Sequence, residues 1–150
     1  MTITLGSRIK KFLGDLTKSA SATAFFGRIS TALGGDLVLS ASASISTLAH
    51  GSMNSTTTPI NILLKDGSGN THDWYNGPVK IAVATTSAAG IPAISPAAGD
   101  KAMTDGMLTV NLTGTGTWLA ADTITLTVSA PTGVPLLGSI SSVTVVLTLS

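Results

Sequence analysis

From residue 37 onward, apolar and polar positions alternate with a period of two, the mark of strands with one face buried. In residues 37–46 one face carries Leu37, Leu39, Ala41, Ala43 and Ile45, and the other is mostly serine. An apolar run at 60–64 leads into Asp66-Gly67-Ser68-Gly69-Asn70, a dense turn signal. Asn76-Gly77 predicts another turn, after which Val79, Ile81, Val83 and Thr85 share a face. Residues 87–100, with Gly90, Pro92, Pro96 and Gly99, read as a loop. A turn at Asp105-Gly106 introduces the alternation Leu108, Val110, Leu112. Gly114-Thr115-Gly116 begins a connection to Ile124, Leu126 and Val128. Pro131, Gly133 and Pro135 break the chain again before Val143, Val145, Leu147 and Leu149 close it. About seven strands at short spacing predict a β-sandwich over 37–150.

Residues 1–36 follow a different rule. Ser7 is placed to cap a helix, and Ile9, Phe12, Leu13 and Leu16 recur at helical spacing. The spacing resumes with Phe25, Phe26, Ile29 and Leu33 and stops at Gly34-Gly35. This segment reads as a helical or extended amphipathic arm that packs on its own domain or on a neighbour. It carries five cations (Arg8, Lys10, Lys11, Lys18, Arg28) against Asp15 and Asp36, a net of +3. Residues 37–150 carry three lysines against five aspartates, a net of −2, so a basic arm precedes a nearly neutral body. A membrane-surface helix is the alternative for the arm, disfavoured by its few cations.

Composition sharpens the class. The 150-residue chain is one domain in size, with 10% charged residues against about 25% in ordinary soluble chains. Its mean hydropathy is +0.47. Polarity comes from 18 Ser and 23 Thr; Glu, Gln and Cys are absent. Threonine and valine fit a pleated sheet. The sandwich is therefore expected to be immunoglobulin-like or a jelly roll, an all-β fold with an N-terminal arm. Disulfide frameworks and cysteine zinc sites are excluded. The net charge of +1 gives no basis for nucleic-acid binding. Three long windows lack Asp, Lys and Arg, but prolines interrupt them and hydroxyls alternate with aliphatics, so no membrane span is expected.

Candidate chemistry is sparse. His50 and His72 are the only histidines, and no nucleophile-elbow motif is present. No enzyme and no cofactor are expected. Asp66-x-Ser68-x-Asn70 spaces oxygens like the start of a calcium loop, but no closing Glu follows; the competing reading is turn chemistry. Trp74, Tyr75 and Trp118 either cover the ends of the core or anchor a subunit interface.

Three stretches carry a resemblance. They are the 65–70 turn followed by Asn76-Gly77-Pro78-Val79-Lys80-Ile81-Ala82-Val83, the segment Thr104-Asp105-Gly106-Met107-Leu108, and Gly116-Thr117-Trp118 with Asp122-Thr123-Ile124. Together they resemble the immunoglobulin-like modules of bacterial surface proteins and of tailed-bacteriophage virion proteins. The whole chain, short, cysteine-free and hydroxyl-rich with a basic arm, is similar to phage capsid decoration (cement) proteins. The resemblance implies a homo-oligomer, such as a trimer, on the outer capsid surface, bound to the major capsid protein or other virion subunits. The implied partner-binding residues are Arg8, Lys10, Lys11, Phe12, Lys18, Phe25, Phe26 and Arg28 in the arm, with Trp74, Tyr75 and Trp118 in the body. A tail-tube, neck or head-fibre component and a carbohydrate- or surface-binding module are the alternatives. The final strand, lacking a charge, is expected to pair within the domain or with a partner chain.

Overall fold

The computed structural model describes residues 37–67, 69–73, 75–133 and 140–150. The expected arm at 1–36, with its eight named candidates, lies outside the described residues, as does Trp74. Nine strands occur among the described residues: β1 Val38–Ala43, β2 Thr47–Leu48, β3 Thr58–Lys65, β4 Pro78–Thr85, β5 Gly90–Ser95, β6 Gly99–Ala102, β7 Met107–Gly116, β8 Thr123–Ser129 and β9 Val143–Leu149. A single 3-10 turn, His50–Ser52, follows β2.

The strands form two sheets, ordered β1-β3-β7-β5 and β2-β9-β8-β4-β6. Every pairing is antiparallel except that of β2 with β9. β1-β3-β7-β5 facing β9-β8-β4 is the strand order of an immunoglobulin sandwich, which decides between the two expected topologies. The first strand is divided: β1 belongs to the four-stranded sheet, and β2 crosses over to lie parallel to the last strand.

The alternation places the core where the sequence pattern puts it. Ile60, Ile62 and Leu64 from β3 and Val110 and Leu112 from β7 point inward against Ile124, Leu126 and Val128 from β8. Val79 and Ile81 of β4 and Leu147 and Leu149 of β9 complete the layer. Each such side chain contributes roughly 1.5–3 kcal/mol of burial.

Three expectations need correction. The described residues hold nine strands, not about seven. The 87–100 segment is not a loop but holds β5 and β6; both are edge strands, the place where a sheet tolerates Pro92. Ile45 is exposed rather than inward, because the β1 ladder ends at Ala43, where the Ser44 N–H donates to the Pro59 carbonyl, and the chain then changes sheets.

Candidate interaction surface

Tyr75 and Trp118 are expected either to cover the ends of the core or to anchor an interface. Both are buried, so they offer no platform to a partner or a sugar, and their role is to close the core. The Tyr75 ring lies over Gly77, where a Cβ would come within 2.6 Å of it, and its hydroxyl donates to the Pro78 carbonyl at 2.8 Å. Burial pushes the phenol pKa up from its ordinary value of 10.0. Trp118 covers Gly90 and Gly114, where β5 and β7 approach. Its indole Nε1–H donates to Asn54 Oδ1 at 3.0 Å, and the Asn54 amide donates to the Gly116 carbonyl at 2.8 Å. Asn54 thereby ties the segment after the 3-10 turn to the end of β7, a link that the sequence does not signal.

Asp66 and His50 serve a turn and a chain contact at the end of β9. Asp66 Oδ1 accepts the Asn70 backbone N–H at 2.9 Å, and Oδ2 accepts the Asn70 side-chain amide at 3.2 Å. Asp66 and Asn70 of the calcium-like spacing are thus joined in a turn, and Ser68 between them lies outside the described residues. No group of three or more His, Cys, Asp or Glu side chains among the described residues is placed to hold a metal ion. His72 is nearly buried, and desolvation holds its pKa below 6.5 against the opposing pull of Asp66 and Asp73. His50 Nδ1 lies 2.9 Å from the Ser150 carbonyl oxygen, which also accepts the His50 backbone N–H at 2.9 Å.

The informative surface is the outer face of the five-stranded sheet. β8 presents Thr123, Thr125 and Thr127 there, between inward Ile124 and Leu126. In register, β9 places Thr148, Val146 and Thr144 beside them, and β4 places Ala84 and Ala82 beside Thr125 and Thr127. Thr47 of β2 extends the row at Thr148. Strands are about 4.8 Å apart, so these side chains form one continuous sheet of methyl and hydroxyl groups. The first charges appear one row further, where Lys80 stands opposite Asp100.

The sandwich has two sides, and their edges differ. On one side β5 carries Pro92, and β6 carries Asp100 and Lys101. Proline and charge on an edge block the addition of a foreign strand. On the other side β1 (VLSASA) and β9 (VTVVLTL) contain neither. β9 is paired within the domain, with β8 along its length and with β2 at Thr148 and Leu149. No helix among the described residues is long and apolar enough to cross a membrane.

No family model matches the chain, and no curated protein matches it. Among solved structures, the sandwich is similar to the adhesin InvE of Yersinia pseudotuberculosis, with a TM-score of 0.53 and 15% identity over 77% of this chain and 32% of that one. It is also similar to a glycosyl hydrolase family 2 member from Bacteroides cellulosilyticus, with a TM-score of 0.51 and 12% identity over 77% of this chain and 15% of that one. This chain therefore spans a third or less of either protein. At such identities the likeness shows the sandwich fold alone.

Proposed function

We propose that the chain is a non-enzymatic structural module of a tailed-phage virion that docks on the outer capsid surface and reinforces the shell. The observation that carries this reading is the uncharged threonine, alanine and valine face on β8, β9 and β4. Such a face buries methyl groups against a neighbour, and its hydroxyls form hydrogen bonds without the desolvation cost of charges. The basic arm at 1–36 adds electrostatic attraction to an acidic shell. The partner is the major capsid protein or another virion subunit.

The test is binding of the purified full chain to shells that lack it, followed by co-sedimentation. Thr125→Lys with Thr127→Lys places two cations in the middle of the face. The wild-type chain is expected to co-sediment, and the double variant to bind at least tenfold more weakly with an unchanged thermal midpoint. Equal binding by both removes the face from the account; binding by neither removes the capsid.

A second reading, a surface-adhesion module, draws on the fold-level likeness to a bacterial adhesin. It predicts that the chain is found on a cell envelope rather than in virions.

A further inference from the structure

We infer that β9 is a self-pairing edge, and that two copies of the chain join through it in antiparallel fashion about a two-fold axis at Val145. Backbone direction carries the argument. The Thr148 N–H donates outward to the Ser46 carbonyl of the segment leading into β2, and the Ser150 N–H donates outward to Leu48. Leu149 points the other way, its N–H donating to the Asp122 carbonyl before β8. Direction alternates along a strand, so Thr144 and Val146 also point their N–H and C=O groups outward. β2 reaches only Thr148 and Leu149; β1 of the facing sheet packs against β9, but no described strand is hydrogen-bonded to 143–147 on that edge.

The free stretch has the right spacing for self-pairing. Centre an antiparallel pair on Val145, and Thr144 of one copy falls opposite Val146 of the second. Both residues point outward, so they form a narrow hydrogen-bonded pair, and the symmetry mate repeats it. Val145 meets Val145 of the second copy at the wide-pair position on the axis. The outward N–H and C=O groups of Thr144 and Val146, open among the described residues, are then all used. β2 also fixes the register, because it occupies the edge from Thr148 on and stops the second copy from sliding further.

Chemistry favours a second copy over a charged partner. Neither β9 nor the flanking threonine face carries a charge, so two copies meet without repulsion. The opposite side of the sandwich, with Pro92, Asp100 and Lys101, is guarded against the same event. Pairing joins two five-stranded sheets into one and doubles the uncharged face, an isologous contact that closes at two copies. The inference does not depend on which larger assembly the module joins.

The test uses the full chain. Light scattering after size exclusion is expected to give twice the 15.0 kDa chain mass at micromolar concentration. Val146→Pro removes an N–H that has no partner among the described residues, at an edge position that tolerates proline, yet it removes one of the two donors from each symmetric pair. It is expected to give the single-chain mass with an unchanged far-ultraviolet spectrum. Because the chain has no cysteine, Val145→Cys gives an independent readout. Wide-pair Cα atoms about 4.5 Å apart lie within disulfide range, so mild oxidation is expected to yield a covalent dimer. A single-chain or threefold mass for the wild type overturns the inference. So does an unchanged dimer in Val146→Pro. Should that variant fail to fold, the absence of a cross-linked dimer in Val145→Cys overturns it instead.

Discussion

Thr58 opens β3 and is 1% exposed, yet its hydroxyl oxygen has no hydrogen-bond partner among the described residues. Replacing it with valine exchanges that hydroxyl for a methyl group of nearly the same shape. Leaving a buried hydroxyl unsatisfied costs about 1–3 kcal/mol in protein mutational series. The backbone is not disturbed, because Thr58 is already held extended in its ladder opposite Leu112, and valine suits a strand before Pro59 equally well. The methyl is slightly larger than the hydroxyl it replaces, and some of the gain is lost to tighter packing. The net expectation is a stabilisation of about 1 kcal/mol. For a chain of this length that is about 2–4 °C in thermal midpoint. Urea unfolding of the two proteins, with equal slopes, measures it directly. Thr58→Ser, which keeps the hydroxyl and deletes the methyl, should move the midpoint down. A lower midpoint for Thr58→Val would refute the reasoning and mean that the hydroxyl is satisfied by a buried water.

Further outcomes follow from the same geometry. Gly114→Ala sets a Cβ 2.8 Å from the Trp118 ring and 2.9 Å from Met53 Cγ, so it should lower stability by about 1–3 kcal/mol in urea unfolding. Asn54→Ala leaves the Trp118 N–H without its acceptor and should cost about 1–3 kcal/mol, with a changed tryptophan emission. The His72 pKa is depressed in the folded state, so the unfolded chain takes up the proton first as pH falls through 6.5; stability should drop below that pH, and His72→Gln should lack this part of the slope. Tyr75 is shifted upward, so the unfolded chain loses its proton first above pH 10; stability should fall there, and less so in Tyr75→Phe.

Much of the sandwich is legible in the sequence because period-two alternation is imposed by burial itself. Leu108, Val110 and Leu112 alternate because β7 lies between β3 and β5 with one face on the core. What the alternation cannot reveal is strand pairing. β2 is two residues long and is held by the last strand, a hundred positions away. β5 and β6 hide behind Pro92, Pro96 and Gly99, residues that signal a loop unless the strand is an edge. The candidate surface is legible only in part. Low charge is visible in the composition, but the continuity of Thr125 with Val146 and Ala84 depends on registers set by folding. Tyr75 and Trp118 show why aromatic residues near turns leave two readings open in the sequence: Gly77, Gly90 and Gly114 leave room for the rings to fold inward. Those glycines are the signal that could have separated a core plug from a surface anchor.

The central claim is that this chain is a stoichiometric part of a virion shell. Quantitative mass spectrometry of purified virions, with the major capsid protein as internal standard, tests it most directly. The account predicts a fixed copy number per particle set by the symmetry of the shell. Absence of the chain from the particles, or a level that falls away on repeated washing, would contradict it.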